Sequence, residues 1–286
     1  MSEKNSFSIK AIVSLFIYTL VLFIFFFYIL FPFKLLENKI KSLIVEKMKG
    51  KAAISSLKIQ FPLQLIIKGF HYREGNKKVT IDTITGRLAA LKILTGTIEG
   101  LFSIDAYEGL ISGKLSQNLL KKRKRNVSCT IEKLNLGKVA LLSELFGLTL
   151  SAEIAGNLKS AWQGTNLKSL NGEWNFSTGS GSCKPRNFPI INFDLLEATG
   201  LFRSGIVHIK NIKAESKDIL VTARGEVSLN ADLPQSQVDL KVTLKIGREF
   251  KKLLGVFASF LPKESKDGNI YLSVTGAANN LHYSAR

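Results

Sequence analysis

The chain has 286 residues, 45% of them hydrophobic, and a formal net charge of +18. That length holds a membrane span plus one large domain or two small ones, and the composition is ordinary for a folded protein. Two cysteines, Cys129 and Cys183, are too few for a disulfide framework and lack the CxxC spacing of zinc or redox sites; a single bridge and two unpaired thiols both stay open. The cationic excess selects anionic partners through its long-range field. Beside the membrane segment below, those partners are read as lipid headgroups or an anionic envelope surface, and not as nucleic acid.

A short tail, 1–10, leads into 11–33, where AIVSLFIYTLVLFIFFFYILFPF carries no charge. A helix needs about 20 such residues to cross a hydrocarbon core of about 30 Å. Its Ile, Val, Leu and Phe content favours insertion by roughly 5 to 10 kcal/mol. A cleaved signal peptide has an apolar stretch of about 7 to 15 residues and a small-x-small site. Phe31-Pro32-Phe33-Lys34 offers none, so a retained single-pass anchor is expected. Lys4 and Lys10 precede the span while Lys34, Lys39, Lys41, Lys47, Lys49 and Lys51 follow it. Taken alone, that excess places the C-terminal domain in the cytoplasm, although large domains translocate largely regardless of charge.

Over 34–50, Leu36, Ile40, Leu43 and Ile44 recur at helical spacing and Gly50 marks a stop, predicting a juxtamembrane amphipathic helix. Lys34, Lys39, Lys41 and Lys47 are its candidate membrane-surface residues, at about 1 kcal/mol each near acidic headgroups. Packing of the same helix on the domain is the alternative.

From 52 to 286 the period changes to two, the mark of strands with one apolar and one polar face. Leu57, Ile59 and Phe61 alternate, as do Leu63, Leu65 and Ile67. The clearest strands carry Ile219, Val221, Ala223, Gly225, Val227 and Leu229, then Val238, Leu240, Val242, Leu244 and Ile246. Turns are expected at Glu74-Gly75-Asn76, Asn171-Gly172, Gly179-Ser180-Gly181, Asn230-Ala231-Asp232 and Asp267-Gly268-Asn269. Helices are expected at 139–146 and 248–261. The basic run 121–125 reads as a solvated loop at a sub-boundary near 121–126, with a localisation signal or phosphate-binding arm as the alternative. The expected fold is therefore mainly β: an N-terminal transmembrane helix, then a curved antiparallel sheet forming a groove, with a few short helices.

No catalytic, metal or cofactor motif is present, and no enzyme is expected. His71, His208 and His282 are scattered without HExxH spacing. The run from Thr178 to Lys184 lacks the GK[ST] ending of a phosphate loop, and neither GxSxG nor GxGxxG occurs. Asp105 and Glu108 lie close together with no evident partner.

The order of tail, span, amphipathic helix and hairpins resembles the type II secretion system protein N family, itself similar to AsmA-like envelope proteins. The resemblance lies in Ile54-Ser55-Ser56-Leu57-Lys58-Ile59 through Ile67-Lys68-Gly69-Phe70, in Tyr107-Glu108-Gly109-Leu110-Ile111-Ser112-Gly113 and in Ala223-Arg224-Gly225-Glu226-Val227-Ser228-Leu229. The ending from Ile270 to Leu281 is similar too, with Leu281 where those families commonly place proline. The resemblance implies a periplasmic domain on the inner membrane of a two-membrane bacterium, acting without catalysis as an assembly or accessory component beside other type II secretion proteins. The alternative it implies is a sheet whose apolar concave side holds phospholipid acyl chains for transfer between membranes. Candidate groove positions are Val221, Val227, Val238, Leu240, Val242 and Leu244, with a closed core as the competing reading.

Overall fold

A computed structural model of the full chain describes residues 9–30, 32–60, 63–75, 77–119, 124–139, 148–164, 166–185, 190–230, 232, 235–254 and 262–285. Two helices lead, α1 (Ile9–Leu30) and α2 (Phe33–Lys47), followed by β1 (Ala52–Gln60), β2 (Gln64–Glu74) and β3 (Lys77–Leu88). After α3 (Ala90–Leu94) come β4 (Thr97–Ala106), β5 (Gly109–Asn118) and β6 (Lys124–Asn135). Next are β7 (Leu148–Ser151), β8 (Glu153–Gln163), β9 (Asn166–Thr178), β10 (Gly181–Pro185) and β11 (Ile191–Phe193). Then follow β12 (Leu195–Arg203), β13 (Ile206–Glu215), β14 (Ile219–Ser228) and β15 (Gln237–Ile246). The chain closes with α4 (Arg248–Leu254), β16 (Asn269–Ala277) and β17 (Asn280–Ala285).

Fourteen strands form one sheet in the order β1-β2-β3-β4-β5-β6-β8-β9-β12-β13-β14-β15-β16-β17, while β11, β10 and β7 form a second, small one. All the described pairings are antiparallel, and most join neighbours in sequence. Short loops suffice for that, because antiparallel neighbours need no crossover. The link 119–123 lies between β5 and β6, which pair directly, so the large sheet runs on across the basic segment.

Four expectations need adjusting. Of the basic run 121–125, read as a solvated loop, Lys124 and Arg125 instead open β6 opposite Gln163 and Trp162, and 121–123 lie outside the described residues. Asn171-Gly172 is not a turn: both residues pair within β9, opposite Arg203 and Phe202. The segment 248–261 is helical over Arg248–Leu254; its remainder, and nearly all of 139–146, lie outside the described residues. Glu108 does have partners: Lys138 pairs with its Oε1, and Asn135 Nδ2 donates to its Oε2 at 3.2 Å. Tyr107 and Glu108 both adopt positive φ, 51° and 62°, forming the tight link between β4 and β5. The carboxylate contacts hold that link.

The helix α1 is one unbroken 22-residue element, which at about 1.5 Å per residue is roughly as long as a hydrocarbon core is thick. Among the described residues no helix counts as long and apolar enough to cross a membrane. The anchor therefore remains a reading of the sequence.

The buried cluster sits where α2 meets the sheet. Ile54, Leu57 and Ile67 form it, with Ile40 and Ile44 of α2 packed against them. Glu37 Oε1 also accepts the Ile59 N–H at 2.8 Å, capping an amide of edge strand β1. Lys34, Lys39 and Lys47 stay exposed and Lys41 is half-buried. Helix α2 thus packs on the domain while leaving most of its cations in solvent.

Candidate functional site: a continuous apolar sheet face

Side chains alternate across a strand, so register decides which residues share a face. One row runs Leu57, Ile67, Ile84, Ile104, Ile111, Ile131, Gly156, Phe176, Ala198, Ile212, Ala223, Val242, Leu272 and Ala285, each opposite the next. It crosses all fourteen strands of the large sheet without one polar side chain. At about 4.8 Å per strand it is roughly 60 Å long. A bulge in β13 between Ile209 and Ile212 and another in β6 between Ile131 and Leu134 restore the parity where it would otherwise slip.

The opposite face is polar. One of its rows reads Ser103, Ser112, Thr130, Asn157, Asn175, Thr199 and Asn211. Thr130 Oγ1 donates to Asn157 Oδ1 at 3.0 Å, and the Asn157 N–H donates to Asn175 Oδ1 at 3.0 Å. Shallow hollows of about 480 Å³ and 430 Å³ lie here, the first beside Lys114, Lys159 and Glu173, the second beside Lys210, Arg224 and Lys241. Lys114 pairs with the largely covered Glu99 at 2.9 Å and Lys159 with Glu173 at 3.7 Å; the second, solvated on both sides, stabilises by about 0 to 1 kcal/mol.

All six candidate groove residues fall on the apolar face. Val221 lies opposite Leu244, Val227 opposite Val238, Leu240 opposite Gly225 and Val242 opposite Ala223. Each is half-buried. In the long row only Leu57, Ile67 and Ala223 are buried, and Ala285 is exposed.

Aromatic rings lying over glycines on this face were not anticipated from the sequence. A Cβ at Gly200 would stand 2.4 Å from Trp174 Cζ2, one at Gly113 2.5 Å from Phe102 Cζ, and one at Gly156 2.4 Å from Phe176 Cδ1. Trp174 also stacks on Phe176 at 5.7 Å between centroids, and its buried Nε1 has no hydrogen-bond partner. The available signal was glycine recurring at apolar parity in strand interiors, which marks close approach of another group.

Cys129 belongs to this face, opposite Gly113 and Leu158. It and Cys183 are free thiols, and burial pushes both above the ordinary thiol value. His208 Nδ1 lies 3.0 Å from Glu226 Oε1 on the polar face. Among the described residues no three His, Cys, Asp or Glu side chains converge to hold a metal ion. Comparison with known proteins leaves the site to be read from its own geometry: no protein family, no curated protein and no solved structure matches the chain.

Proposed function

We propose that the chain is a membrane-anchored protein whose apolar sheet face holds the acyl chains of lipids, serving to bind or transfer them between envelope membranes. The supporting observation is the fourteen-residue apolar row. Beyond the end that α2 covers, a face on the order of 50 Å by 25 Å has an area of about 1,000 Å² or more, above the few hundred Å² of contiguous apolar surface usual for a monomer. Alternation of half-buried apolar and exposed polar positions, as in β8 and β9, supports a sheet curved toward its apolar side. Helix α1 acts as the span, and α2 seats the first strand of the sheet next to it. The domain lies in the periplasm of a two-membrane bacterium, as the resemblance to AsmA-like proteins implies.

The test uses the full chain with Cys183→Ser and a polarity-sensitive fluorophore on Cys129. Adding long-chain phospholipid is expected to shift its emission to the blue, saturably. Phe176→Asp, which puts a charge in the row, abolishes the shift. An emission indifferent to lipid sinks the proposal.

An assembly or accessory role in type II secretion is the second reading. It is favoured by β17, an edge strand whose residues are all exposed and which carries no proline, lysine or arginine to discourage pairing. Purified secretion components that bind the chain and protect β17 amides from exchange support it.

A further inference from the structure

From β4 to β17, charges at the apolar parity of the described strands are few and basic. Between β4 and β17 every strand carboxylate, from Glu99 and Asp105 through Glu226 and Asp239, takes the parity of the polar face. Bulge residue Lys133 and the irregular start of β9 aside, the apolar parity carries only Arg125 in these strands. It lies at one rim, opposite Trp162.

Arg125 is half-buried and fixed by two neutral oxygens. Its Nε donates to Gln117 Oε1 at 3.2 Å and its Nη1 to the Gly164 carbonyl at 3.3 Å. A guanidinium has five N–H donors, so the rest of the fork is available. Among the described residues of β4 to β17, no strand carboxylate shares its face. A partly desolvated cation at an apolar boundary is stabilised by an anion that reaches it from that side. A large aromatic such as Trp162 suits the same boundary between apolar and wet surroundings.

We infer that this rim is a headgroup site, where Arg125, pre-oriented by Gln117 and Gly164, binds the phosphate of an anionic lipid whose acyl chains lie on the apolar face. This rests on the acyl-binding reading above and adds the ligand's charge and orientation.

The experiment uses the full chain in phosphatidylcholine vesicles doped with phosphatidic acid or diacylglycerol bearing the same photoreactive acyl chains, with crosslinks mapped to β6, β8 and β9. Phosphatidic acid is expected to crosslink there about tenfold more than diacylglycerol, the effect of one charge-assisted hydrogen bond. Arg125→Gln brings the ratio near one while diacylglycerol crosslinks persist. If that variant loses its diacylglycerol crosslinks too, Arg125→Lys, which keeps the charge but loses the fork, takes its place and lowers the ratio by a smaller factor. A wild-type ratio near one, an unchanged ratio in the variants, or equal displacement by inorganic phosphate alone overturns the headgroup site. Absence of crosslinks from both lipids instead sinks the acyl-binding reading beneath it.

Discussion

At the scale of single residues, the apolar face depends on glycines that make room for rings. Gly200 has the Trp174 indole 2.4 Å from where a Cβ would stand and the His208 carbonyl oxygen at 2.5 Å. Gly200→Val therefore forces the ring or a neighbouring strand to move, and is expected to destabilise by about 1 to 3 kcal/mol, read from chemical denaturation. The turn before β16 gives a pH-dependent counterpart. Tyr271 donates to Asp267 Oδ2 at 2.5 Å, and Asn269 Nδ2 donates to the same oxygen at 2.9 Å. These bonds, Tyr271 first, lower the Asp267 pKa from 3.8 to about 2. A depressed carboxylate stabilises the fold above its unfolded value and loses that contribution as pH falls through the folded one. The window is thus about pH 4 down to 2, and Tyr271→Phe is expected to move the carboxyl titration, followed by NMR, back toward 3.8.

At the scale of elements, the two edges of the large sheet are treated differently. At β1, α2 covers the edge: Glu37 takes the Ile59 amide, and Ile40 and Ile44 close the buried cluster of Ile54, Leu57 and Ile67. An amphipathic helix of 15 residues holds its shape chiefly through such packing. Ile44→Asp sets a charge against this cluster and is expected to lose about 1 to 3 kcal/mol. Hydrogen exchange should accelerate in α2 and β1 and leave β12 through β16 unchanged; uniform acceleration contradicts this local role. At β17 no described element plays the part of α2, and Leu281 and Tyr283 stay 46% and 82% exposed.

At the scale of the whole molecule, the surface is large for the chain. It exposes 19770 Å², against about 12,000 Å² for a compact monomer of this mass. Among the described residues few are fully buried, so their stability comes mainly from contacts between adjacent strands, an additive arrangement like that of repeat proteins. In the described strands the apolar residues line one face of a single large sheet. Two packed sheets would have buried the same residues against each other. The proposed anionic lipid draws on the cationic excess together with the lack of carboxylates at the apolar parity of the described strands β4 to β17.

The sequence by itself determined the strands and their two faces. Alternation in Val221 to Val227 and Val238 to Leu244 reports which side of a strand faces water, a local property written with period two. The helix of α2 and the unbroken apolar character of 11–33 were legible for the same reason. Tertiary structure decided what alternation leaves open: that fourteen strands join in one sheet, that β10 and β11 leave it for a second, and that Asn171-Gly172 pairs inside a strand. It also brought Gly200 under Trp174 and set Arg125 beside Gln117 on the apolar side. Those outcomes depend on register between segments distant in sequence, and register is fixed by hydrogen bonds and packing across strands, which no single segment carries.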